Sequence, residues 1–279
     1  MGHAQLLNAS VRGPVGAQAM VFVHGFGCGQ HMWRHIVTAF EKEYRVVLLD
    51  LPGSGGAAAA SYDSGRHASL YGYRDDLVNL LRELELTSVV LVGHSVSAMI
   101  GVLLQIAHPD LVDRLVLVTP SARYLNDAGY NGGFSEDDVD ELLELMSRNH
   151  LGWQNPLATI VAGGPDSEAR SELEQAFCRT RPEVAAQFAA VTFRGDNRAD
   201  LPLVSAHTLI IQSAEDSIAP MTAGTYVRDA ISDSEFEILA TRGHCPHLTA
   251  PAETAAVIQR FLQGSRSRTT SSSGPPGPG

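Results

Sequence analysis

The sequence predicts an α/β fold, with a mostly parallel sheet flanked by helices and a further block of helices inserted before the last strands. Short apolar runs alternate with longer segments of helical periodicity, which is the pattern of strand–helix repeats. The runs are apolar throughout, as strands buried on both faces are. From about residue 121 to residue 199 the alternation stops, and one helical pattern follows another.

The predicted strands are the apolar runs at residues 19–24, 45–50, 88–92, 115–118, 208–212 and 235–239. Helices are predicted between them wherever apolar residues recur every three or four positions. Leu77, Leu80, Leu81 and Leu84 form such a stripe in the helix predicted over residues 73–84. The other helices of this part are predicted over residues 96–107, 222–231 and 252–262. The first of these is apolar nearly all round, so we expect it to be buried.

Residues 121–199 are predicted to form a cap of four helices, over 136–147, 153–161, 167–178 and 182–193. The cap interrupts a core that comprises residues 1–120 and 200–264. In that position it would roof the carboxyl ends of the parallel strands, where open α/β sheets bind ligands. Residues 265–279 are Ser, Thr, Pro and Gly with two Arg, so we predict a disordered tail.

Composition argues against several classes of function. The 279 residues carry 20 Lys and Arg against 31 Asp and Glu, and this net charge of −11 disfavours binding to nucleic acid or to anionic membranes. Hydrophobic residues at 44% and charged residues at 18% predict a folded chain. Three cysteines are too few for a disulfide framework, and no targeting or membrane-spanning segment is visible, so we expect a cytoplasmic protein.

The strongest chemical signal lies at residues 92–98, which read Val-Gly-His-Ser-Val-Ser-Ala. They follow an apolar strand and open a buried helix, which is the context of a nucleophile elbow that presents a serine hydroxyl above the sheet. Ser95 is therefore the predicted nucleophile, and Gly93 leaves room for the sharp turn. The usual pattern ends in glycine where this chain has Ser97, which is small enough for the helix to approach the strand.

In enzymes built on such an elbow, an acid and then a histidine follow the serine along the chain. Asp216 lies in the loop after a predicted strand and is the predicted acid, with Glu215 as the alternative. His244 lies after the next predicted strand and is the predicted base, with His247 as the alternative. His244 comes 28 residues after Asp216, which is enough for one helix and one strand.

Two backbone N–H groups, those of Phe26 and Val96, are predicted to form an oxyanion hole. Phe26 lies in the run His-Gly-Phe-Gly after the first predicted strand, and Val96 directly follows the nucleophile. The spacing of His244, Cys245 and His247 also occurs in metal sites. No second cysteine or acidic cluster joins these three residues, so we predict neither a metal nor another cofactor.

These features resemble the serine-dependent α/β-hydrolase superfamily over about residues 1–263. Within it, the chain is most similar to the RsbQ-type bacterial regulators, which are relatives of the plant karrikin and strigolactone receptors. Segments that match in order and spacing are 24–30 (His-Gly-Phe-Gly-Cys-Gly-Gln), 93–101 (Gly-His-Ser-Val-Ser-Ala-Met-Ile-Gly), 124–127 (Tyr-Leu-Asn-Asp), 132–134 (Gly-Gly-Phe), 177–180 (Phe-Cys-Arg-Thr) and 242–247 (Arg-Gly-His-Cys-Pro-His).

The resemblance implies an α/β-hydrolase fold with a buried apolar pocket between the core and a four-helix cap. The residues at the matched lining positions are Phe26, His94, Phe134, Leu142, Trp153, Leu157, Phe188 and Phe193. No Lys or Arg is among them, so a small, mostly apolar ligand is favoured over a strongly anionic one.

Two functions are expected. The first is a carboxylic ester hydrolase, a serine esterase that cleaves a small apolar ester or lactone with a Ser95–His244–Asp216 catalytic triad. The second is a signalling protein that senses or turns over a small hydrophobic ligand and activates a PAS-domain phosphatase in a stress response. Epoxide hydrolases and haloalkane dehalogenases need Asp at the elbow, so Ser95 argues against them. Cofactor-free haloperoxidases and C–C bond hydrolases keep a serine triad and stay open.

Overall fold

A seven-stranded sheet lies at the centre of the protein, in a computed structural model that describes residues 1–148, 152–165 and 168–270. The strands are β1 (Ser10–Arg12), β2 (Ala19–Val23), β3 (Arg45–Leu48), β4 (Val89–His94), β5 (Val112–Val118), β6 (His207–Glu215) and β7 (Ser234–Arg242). Their order across the sheet is β1-β3-β2-β4-β5-β6-β7. Only the β1–β3 pair is antiparallel among these strands, so the predicted mostly parallel sheet is confirmed.

Helices flank the sheet and fill the connections between its strands. Those of the described residues are α1 (His3–Leu6), α2 (Arg34–Val37), α3 (Leu70–Glu83), α4 (Val96–Ala107), α5 (Glu136–Arg148), α6 (Gln154–Ala162), α7 (Glu168–Arg179), α8 (Pro182–Arg194), α9 (Met221–Ala230), α10 (Pro246–Thr249) and α11 (Pro251–Thr270). Helices α3, α4 and α9 begin and end within three residues of the predicted spans. Periodicity alone therefore located them.

Apolar side chains alternate between two buried clusters, one on each face of the sheet. In β4, Leu91 packs with α3 and α4, whereas Val90 and Val92 pack on the opposite face with α2 and α11. All six residues of β4 are buried. Helix α4 is also buried along most of its length, because its apolar residues lie on every side and contact both the sheet and its neighbouring helices.

Four helices, α5 to α8, lie between β5 and β6, where one crossover helix would suffice. We call residues 121–199 the cap segment. Its apolar side chains, among them Trp153, Phe177 and Phe193, form a third cluster together with Cys28 and Ile218 from loops that follow β2 and β6. The cap segment therefore packs on the loops at the carboxyl ends of the strands. The boundaries at residues 120 and 200 stay predictions.

The structure differs from the prediction at several chain segments. β1 is a three-residue edge strand with two exposed positions, so it has no apolar run to reveal it. β6 and β7 extend farther than predicted, because they remain paired as far as Glu215 and Arg242.

Helix α11 continues to Thr270, so residues 265–270 of the predicted disordered tail are helical. Adding residues to an existing helix costs less than nucleating one, and the Gly and Pro of the tail begin only at residue 274. Residues 149–151 and 166–167 of the cap segment and residues 271–279 of the tail lie outside the described residues. No helix in the described part of the chain is both long and apolar enough to cross a bilayer.

Truncation after Gly264 should leave the melting temperature unchanged, because the last deeply buried side chains described in α11 are Phe261 and Leu262. Truncation after Gln259 removes both and should lower the melting temperature by several degrees, since deleting one buried Leu or Phe side chain costs about 2–5 kcal/mol. Calorimetry of both truncated chains against the full chain is the measurement. A loss of several degrees in the first truncation would show that the residues after Gly264 pack on the core.

Candidate active site

Ser95 lies at a sharp turn between β4 and α4. Its backbone has φ +57° and ψ −124°, a conformation that a residue other than glycine keeps only where its surroundings enforce it. On one side the carbonyl of Val118, at the end of β5, accepts the Ser95 N–H at 2.9 Å. On the other side the buried first turn of α4 begins. The turn presents the Ser95 side chain to a cavity above the sheet edge, as a nucleophile elbow does.

Small residues make room for this turn. A Cβ on Gly93 would lie 2.4 Å from the carbonyl oxygen of Ser97, and a Cβ on Gly25 would lie 2.5 Å from Nδ1 of His94. Ser97, which replaces the last glycine of the usual pattern, donates its hydroxyl to the carbonyl of His24 just after β2. The departure from the pattern therefore adds a hydrogen bond between α4 and the end of β2.

A buried chain of hydrogen bonds joins Ser95, His244 and Asp216. Ser95 Oγ lies 2.8 Å from His244 Nε2, and His244 Nδ1 lies 2.8 Å from Asp216 Oδ2. A carboxylate only accepts, so His244 donates from Nδ1, and the lone pair on Nε2 is left to accept the Ser95 hydroxyl. The structure brings together the residues predicted as nucleophile, base and acid.

The loop after β6 decides which of two adjacent acids faces the imidazole. Asp216 turns inward, and its second oxygen accepts the backbone N–H groups of Ile218 and Ala219 at 2.8 and 3.0 Å. These two bonds hold the carboxylate in place. Glu215, the alternative acid, is exposed and pairs with Arg242 on β7.

The backbone N–H and the backbone carbonyl of His244 are both held by hydrogen bonds. Its N–H donates to the carbonyl of Val161 in α6 at 2.7 Å. Its carbonyl accepts the Nε2–H of His94 at 2.8 Å and the hydroxyl of Thr119 at 2.9 Å. Gly243 precedes it at φ +94°, and a Cβ there would lie 2.7 Å from the backbone of α6. The cap segment and the core therefore position this histidine together.

His247, the alternative base, packs away from the nucleophile. Its ring stacks on Trp33, with 4.4 Å between the ring centroids, and lies 4.5 Å from the ring of His94. Burial and the nearby His244 lower the pKa of His247 to about 3, so its imidazole stays neutral. Of the two histidines, His244 is the one hydrogen-bonded to Ser95.

One group among the described residues could hold a metal ion. Ligand atoms of His94, Cys245 and His247, all buried, lie within 4.8 Å of one another. In the sequence, His244 is spaced from Cys245 and His247 as metal ligands are. In the structure, its side chain is hydrogen-bonded to Ser95 instead. Burial raises the pKa of the Cys245 thiol well above its ordinary value, so the thiol keeps its proton. The group is therefore a neutral, packed layer next to the His244 backbone.

The N–H groups of Phe26 and Val96 have no hydrogen-bond acceptor within the described residues. Val96 is the first residue of α4, and the first N–H groups of a helix have no partner inside it. Phe26 lines the same cavity as Ser95. Free N–H groups beside a nucleophile are suited to hold an oxygen that becomes negatively charged.

A small cavity of about 30 Å³ lies between Ser95 and the cap segment. Its lining is mostly apolar and includes the predicted pocket residues Phe26, His94, Leu157 and Phe193. The other lining residues beside Ser95 and His244 are Cys28, Tyr124, Val161, Phe177, Thr192 and Ile218. Three of these, Cys28, Tyr124 and Phe177, belong to the segments that carry the family resemblance, which is the signal that could have identified them.

Four residues predicted to line the pocket do not reach this cavity: Phe134, Leu142, Trp153 and Phe188. Trp153 packs on Phe177, with ring centroids 5.4 Å apart, and Phe188 stacks on Tyr73 at 4.6 Å. Phe134 and Leu142 pack against the apolar cluster of the cap segment. The matched positions surround the pocket, but the packing of neighbouring side chains decides which of them reach the free space.

Aromatic rings close the cavity by packing around Phe26. Its ring centroid lies 6.1 Å from Trp153, 6.1 Å from Phe177, 5.8 Å from Phe188 and 6.3 Å from Phe193. All four rings belong to the cap segment, whereas Phe26 belongs to the loop after β2. The interface between core and cap segment above Ser95 is therefore an aromatic cluster.

Comparison with known proteins places the chain in the alpha/beta hydrolase family. The model of the alpha/beta hydrolase family matches residues 20–257. The chain is 39% identical to a probable esterase of Oryza sativa subsp. japonica, over 88% of this chain and 91% of the relative. It is also 39% identical to a karrikin insensitive 2 receptor of Petunia hybrida, over 88% and 92%. A solved hydrolase from Oleispira antarctica superposes with a TM-score of 0.91 at 36% identity, over 94% and 96%.

The free energy of unfolding should decrease as the pH falls from about 6.5 towards 3. The His247 pKa is about 3 in the folded protein but near 6.5 in an unfolded chain, so the unfolded state binds more protons in this window. The contribution of His247 to the free energy of unfolding is fully present above pH 6.5 and is lost progressively as the pH falls towards 3. The total loss is on the order of several kcal/mol. Melting temperatures from pH 7.5 to 4 should fall less steeply in His247→Gln than in the wild type.

His35→Gln is the matched control, because His35 is exposed on α2. Its melting temperature should follow the wild-type pH dependence. If His247→Gln and the wild type lose stability with the same slope, the burial of a neutral His247 is not a source of the acid sensitivity.

Proposed function

Because the chain belongs to the alpha/beta hydrolase family, we propose that it is a serine hydrolase that cleaves small apolar esters or lactones. The observation that carries the proposal is the unbroken hydrogen-bond chain from Ser95 through His244 to Asp216, beside a small apolar cavity. A serine hydroxyl is a weak nucleophile until a base accepts its proton. An acid on the far side of the imidazole holds the base in the tautomer that can do so.

In the proposed first half-reaction, Ser95 Oγ attacks the carbonyl carbon of the ester while its proton passes to His244 Nε2. Asp216 stabilises the resulting imidazolium through the Nδ1–H. The carbonyl oxygen becomes an oxyanion, which the N–H groups of Phe26 and Val96 can bind, and such donors contribute about 3 kcal/mol each. His244 then protonates the leaving alcohol oxygen, and an acyl group remains on Ser95.

In the second half-reaction, water replaces the alcohol. His244 takes a proton from the water as its oxygen attacks the acyl carbon. The bond between the acyl carbon and Ser95 Oγ then breaks, and His244 returns the proton to that oxygen. The products are an acid and the free enzyme, so the cycle balances without a cofactor.

The cavity limits the size and polarity of the substrate. At about 30 Å³ the cavity favours a small acyl or lactone group, and a larger one would have to displace rings that pack around Phe26. No Lys or Arg of the described residues lines the cavity, which favours an apolar acyl or lactone group over an anionic one. The probable esterase among the relatives supports ester chemistry.

A second candidate is a ligand-responsive signalling protein, which the relative named as a karrikin insensitive 2 receptor favours. In this candidate the same residues bind or turn over a small hydrophobic ligand, and the displacement of the cap segment is the signal. A PAS-domain phosphatase as the partner, and an RsbQ-like role in a stress response, are predictions from the sequence resemblance alone.

All three cysteines are free thiols, which supports the proposed cytoplasmic location.

Ser95→Ala should reduce the turnover of p-nitrophenyl acetate by about 10³-fold or more, because the triad acts as a unit. His244→Ala and Asp216→Asn should also be severe. The matched control is Ser54→Ala, since Ser54 is a buried serine in the loop after β3 whose hydroxyl has no partner among the described residues. It should keep the wild-type rate. A correctly folded Ser95→Ala protein that retains most activity would rule out the mechanism.

Phe177→Leu should raise the preference for longer acyl chains by enlarging the cavity that Phe177 lines. The ratio of kcat/KM for p-nitrophenyl hexanoate to that for the acetate should increase several-fold over the wild type. Phe134→Leu is the control, because Phe134 packs against the same apolar cluster but does not line the cavity. An equal change of the ratio in both variants would mean that loosening of the cap segment, rather than cavity size, sets the preference.

A further inference from the structure

A phenol hydroxyl lies beside the nucleophile and has no role in the mechanism given above. The Tyr124 hydroxyl is 3.0 Å from Ser95 Oγ. Tyr124 is 2% exposed and lines the cavity above Ser95. Among the described residues, Ser95 is the hydrogen-bond partner of this hydroxyl, so the contact is not shared with a neighbouring group.

The direction of this hydrogen bond follows from the proton count at Ser95 Oγ. The single hydroxyl proton of Ser95 goes to His244 Nε2, because His244 already donates its Nδ1–H to Asp216. Ser95 Oγ can then only accept a second hydrogen bond, so Tyr124 is the donor. Burial raises the pKa of Tyr124 well above its ordinary value, which keeps the donated proton on the phenol.

The phenol is held in place by two parts of the cap segment, the loop before α5 and helix α8. The carbonyl of Tyr124 accepts the N–H of Phe134 at 3.1 Å. The side-chain oxygen of Asn126 accepts two further N–H groups, each at 3.0 Å, from the glycines that precede Phe134. The ring meets Phe193 of α8 edge to face, with 5.3 Å between centroids. A donor fixed in this way needs no reorganisation during a reaction.

We propose that Tyr124 is a further catalytic residue, whose hydroxyl donates a hydrogen bond to Ser95 Oγ and stabilises that oxygen as it leaves the acyl-enzyme. The proposal rests on the serine-hydrolase function proposed above. In the step concerned, the bond between the acyl carbon and Ser95 Oγ breaks, and its electron pair goes to Oγ. His244 returns its proton to Oγ, and Tyr124 keeps its own proton throughout.

The two half-reactions use this donor differently. During deacylation Oγ gains negative charge as the carbon–oxygen bond breaks, and a hydrogen bond to a charged oxygen is stronger than one to a neutral oxygen. During acylation by an activated ester, Oγ gives its proton to His244 while it gives electron density to the new bond, so the charge on Oγ and the strength of this hydrogen bond change little. Removal of the phenol hydroxyl should therefore slow deacylation and leave acylation almost unchanged.

The test is a stopped-flow measurement with p-nitrophenyl acetate on the full chain, which separates the acylation rate constant from the deacylation rate constant. In Tyr124→Phe, deacylation should slow by about 10- to 100-fold, and acylation should change by less than about threefold. The variant should show a burst of one equivalent of p-nitrophenol, and mass spectrometry should detect the acetylated protein. Either an unchanged deacylation constant or an equal loss in both constants would overturn the proposal.

Tyr130→Phe is the matched control, because the Tyr130 hydroxyl donates to the carbonyl of Arg123 at 2.8 Å and so supports the same loop without contact to Ser95. It should retain both wild-type rate constants, and a slowed deacylation in this variant would assign the effect to the loop instead. If the proposed serine-hydrolase function itself is wrong, a different result shows it. In that case Ser95→Ala would hydrolyse the ester as fast as the wild type, before Tyr124 is considered.

Discussion

The hydrogen bond from the His244 N–H to the Val161 carbonyl is the interaction on which the site most depends. It joins the proposed catalytic base to α6 of the cap segment, while the carbonyl of the same residue is held by His94 and Thr119 of the core. With its backbone held from both sides, the imidazole of His244 lies between Ser95 and Asp216. This backbone hydrogen bond is a direct contact between α6 and the proposed base.

The surroundings of this base contain buried polar groups that carry no charge. Burial lowers the pKa of His94 and His247 and raises that of the Cys245 thiol, so all three stay neutral near pH 7. This matters because His244 becomes an imidazolium in the proposed reaction. A second positive charge in the same low-dielectric layer would oppose that step, whereas the carboxylate of Asp216 favours it.

The aromatic cluster around Phe26 leaves only a small cavity above Ser95. Rings from the cap segment pack on one residue of the core, and the free volume above Ser95 falls to about 30 Å³. Packing of this kind stabilises the closed form by burying apolar area. In both candidate functions, a ligand larger than this cavity would compete with that packing.

The sequence by itself determined the α/β class, the helices of the cap segment and the strand–turn–helix position of Ser95, because such patterns are local and each is read from adjacent residues. It predicted Asp216 and His244 but kept Glu215 and His247 as alternatives, because nearby residues of similar chemistry differ only in where their side chains point. The tertiary structure shows where the alternatives lie: Glu215 pairs with Arg242, and His247 stacks on Trp33. It also decided which aromatic residues reach the cavity and that the Tyr124 hydroxyl meets Ser95, since these contacts join segments whose packing no local pattern encodes.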